Sequence, residues 1–83
     1  MSLTLLYFGR PRERLGTSRE EVQLDGIVTL GDLLARLRAR GENWANELTE
    51  NRVRCAINQE FSGLDASIKD GDEVAIFSPI SGG

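Results

Sequence analysis

The sequence predicts an α+β fold in which one main helix packs on one face of a mixed sheet of about five strands. Two observations carry this. Leu30, Leu33, Leu34 and Leu37 recur at helical spacing, and short segments before and after them alternate apolar with polar residues. A single helical stripe and a set of half-apolar strands cover one another most economically as two layers.

Taken in order, Leu3 to Phe8 is apolar apart from Thr4, and Leu3, Leu5 and Tyr7 share one face when extended. Gly9 to Gly16, with Pro11 and four charged residues, reads as a connection into a second strand near Glu20 to Leu24, giving a hairpin-like pair. Thr29 followed by Asp32 resembles a capping box and starts the helix, from which Arg36, Arg38 and Arg40 point away and which Gly41 stops. A further short turn of helix fits Glu42 to Leu48, with Trp44 and Leu48 on one side as core residues. Val53, Cys55 and Ile57 alternate in a third strand. Asn58-Gln59 is a turn into a short strand at Glu60 and Phe61, and Leu64 and Ile68 anchor an irregular stretch. Asp70-Gly71-Asp72 is a strong turn signal before the last strand, Glu73 to Phe77, with Val74 and Ile76 inward.

With 83 residues the chain has room for one small core. Its 40% hydrophobic and 28% charged residues are a globular balance, with no apolar run long enough to span a bilayer and no secretion-signal pattern at its start. A cytoplasmic protein without membrane association is the expectation. Histidine is absent and Cys55 is the only cysteine, so a self-contained triad, a cysteine zinc site and an internal disulfide are all excluded. That makes an enzyme in its own right improbable on chemical grounds, and no metal site is expected. Cys55 reads as a small apolar core residue. A net charge of −3 argues against nucleic acid as a partner.

Two features go beyond a plain domain. The last strand runs into Ser78-Pro79-Ile80-Ser81-Gly82-Gly83, so residues 1–77 read as the folded domain and 78–83 as a flexible Gly-Gly tail. Alone, such a tail also fits an unstructured end. Its position directly after a core strand suits a presented carboxylate, because glycines without Cβ atoms can thread a channel too narrow for side chains. The carboxyl of Gly83 would become reactive once a partner converted it to an acyl-adenylate. Strand alternation also leaves Leu6, Phe8, Ala75 and Phe77 on the face opposite the helix, with Phe61 able to join them. A one-helix sheet exposes that face, so the three phenylalanines predict an apolar docking patch.

The segments LYFGRPRERLG, TLGDLLARL, AINQEF, DGDEVAIF and SGG, in that order and spacing, resemble the small subunit of molybdopterin synthase, a ubiquitin-like β-grasp sulfur carrier. The resemblance spans the chain. It implies that Gly83, behind Gly82, is adenylated with ATP by an adenylyltransferase similar to the ubiquitin-activating enzymes. A sulfur donor then yields a thiocarboxylate, whose sulfur passes to cyclic pyranopterin monophosphate in molybdenum cofactor biosynthesis. It implies also that the tail, with Pro79, Ile80 and Ser81, inserts into a large catalytic subunit, in a heterotetramer of two small and two large subunits. Phe8, Phe61 and Phe77 match the family's docking positions; no cofactor is held permanently. Two departures stand out: Pro11 replaces an apolar residue in the first connection, and Ser78 replaces one of two prolines before the tail.

The same tail chemistry would serve a carrier for thiamine or tRNA sulfur, although RERLG and DLLARL favour the molybdopterin branch. A ubiquitin-like modifier joined to lysines through Gly83 is a second class. A plain interaction module whose glycines are incidental is a third.

Overall fold

A computed structural model describes residues 1–49 and 52–79. The chain runs β1 (Ser2–Tyr7), α1 (Gly9–Leu15), β2 (Arg19–Gln23), α2 (Leu30–Arg38), α3 (Glu42–Glu47), β3 (Arg54–Ile57), β4 (Glu60–Phe61) and β5 (Glu73–Phe77). The strands form one mixed sheet in the order β2-β1-β5-β3-β4, with β1 parallel to β5 and the other pairs antiparallel. This is the α+β mixed sheet with one main helix expected from the alternation.

The core lies between the sheet and α2. Leu3, Leu5, Tyr7, Val74 and Ile76 from the sheet and Leu30, Leu33, Leu34 and Leu37 from α2 are all buried in one cluster, which Leu48, Val53 and Ile68 extend. Burying a leucine-sized side chain contributes about 1.5–3 kcal/mol, so these positions dominate stability. At the head of α2 the Thr29 hydroxyl accepts from the Asp32 N–H, while Asp32 Oδ2 accepts from the Thr29 and Val28 N–H groups. The capping box therefore forms with Asp in the place of the longer Glu. The next donors are met from outside the helix: the Leu30 N–H donates to Ala66 and the Gly31 N–H to Leu64, at 2.9 and 2.8 Å.

The first connection is not a plain loop. Gly9–Leu15 is a helix, with Pro11 in its first turn, where the missing N–H costs no intrahelical bond. Gly16 ends it at φ 72°, its N–H donating to Arg12, and Arg12 and Arg14 occupy the last turn beside the helix carbonyls. Pro11 is fully buried.

Helix α2 ends at Arg38, ahead of Gly41, and Gly41 instead begins α3, accepting from the Ala45 N–H at 2.9 Å. Trp44 packs against the core edge-on to Tyr7, and Leu48 is buried. The arginines expected to point away from the leucine stripe do so and are tethered. Arg36 donates to the Asp25 carbonyl, Arg38 to the Leu48 carbonyl, and Arg40 binds Glu20 through two bonds of 2.8 and 2.9 Å while lying over Trp44. Tyr7 donates to the same carboxylate at 2.7 Å. The Arg40 hydrogen bonds hold Glu20 below its ordinary range, and burial, followed by the hydrogen bond to Glu20, pushes the Tyr7 phenol up.

Asn58 and Gln59 both have positive φ, 50° and 72°, which makes the β3–β4 connection a two-residue hairpin turn of the primed type. Asn58 also fixes β5: its side chain accepts from the Glu73 N–H and donates to Asp72. Gly71, at φ 86°, makes the Asp70–Asp72 turn, and Asp70 accepts from the Ser2 N–H. Of the two anchors expected in the irregular stretch, Ile68 is buried, whereas Leu64 is exposed and anchors through its carbonyl. No helix among the described residues is long and apolar enough to cross a membrane.

Candidate functional site

The outer face of the sheet is built by register. Leu6 on β1 faces Ala75 on β5, Ala75 faces Ala56 on β3, and Ala56 faces Phe61 on β4, which makes one apolar row across four strands. The adjoining row pairs Phe77 with Arg54, and Phe8 sits just beyond β1 with its N–H donating to the Ile76 carbonyl. No described helix covers these rows. Phe61 is 82% exposed and Phe8 46%, and Phe61 lies against Phe77 with ring centroids 5.8 Å apart. Aromatic rings left in water at this density mark a surface that is completed by something else.

These residues border an open groove of about 890 Å³. Phe8, Phe61 and Phe77 line it with Gly9, Ser62, Gly63, Arg54, Cys55, Ser78 and Pro79. The structure thus brings together four of the predicted site residues, Phe8, Phe61, Phe77 and Pro79. Ile80, Ser81, Gly82 and Gly83 lie outside the described residues. Ser78 and Pro79 follow β5 without regular structure, and the groove extends to them.

Cys55 reaches the groove wall yet is buried, and burial pushes its thiol up to about 11. A thiol held neutral in this way is a poor nucleophile, in keeping with a packing role. Among the described residues no group of three or more Cys, Asp or Glu side chains is placed to hold a metal ion.

Arg54 was missed by the sequence reading. Among the described residues it is the one charged side chain in the groove lining, on the same face as Phe77. Its signal was available, because Arg54 alternates with Val53 and Cys55 and must point away from the core whenever they point in. Arg10 and Glu47 were missed as well. Glu47 is buried at the end of α3 and accepts from Arg10 Nε at 2.9 Å, which ties α3 to α1 behind the Phe8 end of the groove. Nothing in either local sequence announces that pairing.

Comparison with known proteins agrees with this architecture. The molybdopterin synthase sulfur carrier subunit of Escherichia coli (strain K12) is 36% identical over 81 residues, covering 98% of this chain and 99% of that one. Small archaeal modifier protein 3 of Haloferax volcanii is 30% identical over 92 residues, covering all of both chains. The solution structure of the Haloferax volcanii HVO 2177 protein superposes with a TM-score of 0.82 at 30% identity, covering 100% of this chain and 87% of that one, which places the fold among the ubiquitin-like β-grasp domains. The pattern of the ThiS family matches residues 5–83, so with relatives this similar along its whole length the chain belongs to the ThiS family.

Proposed function

We propose that this chain is the sulfur carrier subunit of a cytoplasmic molybdopterin synthase, acting through the carboxyl of Gly83. The observation that carries the proposal is the aromatic groove that leads into Ser78 and Pro79. A partner seated there would meet the segment that ends in Gly83. Relatives that match along nearly the whole chain include sulfur carrier subunits, which supports the chemistry.

The sequence of steps conserves every atom. An adenylyltransferase joins AMP from ATP to the Gly83 carboxyl and releases pyrophosphate. Sulfide-level sulfur from a donor attacks the acyl carbon and expels AMP, leaving a thiocarboxylate; a persulfide donor would first give an acyl disulfide, which a thiol reductant must cleave. The large subunit then receives the tail, and sulfur passes to cyclic pyranopterin monophosphate while water restores the carboxylate. The domain itself supplies no acid, base or metal to these steps. It docks, and docking raises the effective concentration of the tail at the partner's reaction centre.

Incubation with ATP, a sulfur donor and the activating enzyme should change the mass of the C-terminal peptide by the exchange of one oxygen for sulfur. Removal of Gly82 and Gly83 should abolish sulfur transfer while leaving docking intact. A second reading, a protein modifier, is favoured by the likeness to small archaeal modifier protein 3. It predicts a ladder of larger conjugates, and such a ladder without the thiocarboxylate would displace the carrier reading.

A further inference from the structure

We propose that Arg54 determines the specificity of the docking face by requiring a partner that places a carboxylate over the aromatic groove. The proposal rests on the sulfur carrier reading above and adds to it the chemistry of the partner's surface.

Arg54 lies directly across from Phe77 in the β3–β5 register, exposed, and it is the one charged group among the described residues that line the groove. It also borders a second, smaller groove of about 260 Å³ toward Leu64, so it stands where the two depressions meet. Among the described residues it makes no ion pair; Arg10, Arg36, Arg38 and Arg40 each donate to a group of this chain, and of the arginines that do not, Arg54 alone lines the groove. Among the described residues, no hydrogen bond or ion pair engages the Arg54 charge.

Any protein that fills the groove over Phe61 and Phe77 also removes water from the Arg54 guanidinium that lines it. A purely apolar partner would leave that cation dry and unpaired, which strongly disfavours the complex. A carboxylate turned into the groove removes the penalty and matches the guanidinium fork through two parallel hydrogen bonds. The requirement thus works in both directions, favouring one partner and penalising smooth apolar ones.

The far end of the same face gives the complex a direction. Thr4 lies between Glu21 on β2 and Glu73 on β5, so the outer face is acidic at one end and carries Arg19 beside Leu6 in the next row and Arg54 at the far end. A partner turned end for end would set like charges against each other. A second copy of this chain is the competing occupant, because two-fold pairing of the face would bring Arg54 of each copy toward Glu21 and Glu73 of the other. The groove's continuity with Ser78 and Pro79 favours instead the protein that takes the tail.

The test is titration of the full chain against the large catalytic subunit of molybdopterin synthase from the same source, at low and high salt, with sedimentation of the chain alone. Arg54→Met keeps the unbranched stem of the side chain and removes its charge; it should weaken binding by at least about tenfold at low salt and flatten the salt dependence. Arg54→Glu should weaken it further, and the difference between the two variants reads charge rather than folding. Wild-type affinity in Arg54→Met, or salt-sensitive self-association of the chain that Arg54→Met abolishes, overturns the proposal and leaves the carrier reading standing. Failure of the wild-type chain to bind the large subunit at all overturns both.

Discussion

The two faces of the sheet carry comparable apolar side chains and meet opposite fates. On the inner face Leu3, Leu5, Tyr7, Val74 and Ile76 are sealed beneath α2, none more than 1% exposed. On the outer face Phe8 and Phe61 stand in water although they are larger and more apolar than much of the core. Alternation along a strand treats both faces alike, so the difference comes from what the rest of the chain supplies. One leucine stripe can cover one face. The apolar surface of the second is available for association, and its aromatics contribute nothing comparable until a partner arrives.

The two faces should therefore respond differently to substitution. The largest effect is expected on the inner face. Leu33→Ala empties a fully buried position in α2 and should destabilise the domain by about 2–5 kcal/mol, the range for leucine-to-alanine cavities. Chemical denaturation measures it. Partner binding should fall only as far as the folded fraction falls, and a Leu33→Ala protein that is fully folded yet unable to bind would break the division between the faces.

Phe77→Asp should do the reverse. Phe77 is half-buried against Phe61, and the introduced carboxylate would sit across from Arg54, an opposite-charge pair that offsets part of the lost packing. Stability should change by no more than about 1 kcal/mol, since the site is on the open face. Affinity for the large subunit should drop by at least about 2 kcal/mol, ~30-fold, as for aromatic anchors of interfaces. Calorimetry on folded protein separates the two quantities. Unchanged affinity would remove the groove from the docking surface.

What could be read from the sequence follows the same division. Period-2 alternation in Leu3 to Phe8 and Glu73 to Phe77 placed both sets of side chains correctly, because burial on one face fixes the register of a strand. Thr29 and Asp32 marked the helix start, because the capping bonds are local in sequence. Helix α1 was not legible. Gly9, Pro11 and Gly16 are breakers by propensity, yet one occupies the first turn and another the left-handed end, where a breaker is tolerated. Nor could Arg10 be joined to Glu47, or Arg40 to Glu20 and Tyr7, since each contact spans elements whose adjacency depends on the fold. The aromatic patch was visible as residues, while its single cation emerged only when β3 lay beside β5.

The smallest expected effect lies at the polar margin of the inner face. Glu20 precedes Val22 by two residues on β2 and so points toward the helix side, where Tyr7 and Arg40 both donate to its carboxylate. Its folded pKa is lowered, first by the Arg40 hydrogen bonds, from an ordinary value of 4.5. A carboxyl whose folded pKa lies below its unfolded one stabilises the protein above the unfolded value and loses that contribution as pH falls through the folded one. Asp32 shifts in the same direction, through hydrogen bonds from the Val28 and Thr29 N–H groups. The melting temperature should accordingly decline as pH falls from about 5 to about 3. Glu20→Gln can still accept from Tyr7 but carries no charge for Arg40, so the variant should melt lower at neutral pH and lose less on acidification, the two curves converging in acid. Because Glu20 faces away from Phe61 and Phe77, Glu20→Gln should leave affinity for the large subunit at neutral pH unchanged. A Glu20→Gln variant that binds poorly while fully folded would mean that the two faces communicate through β1, which carries Tyr7 on one side and Leu6 on the other.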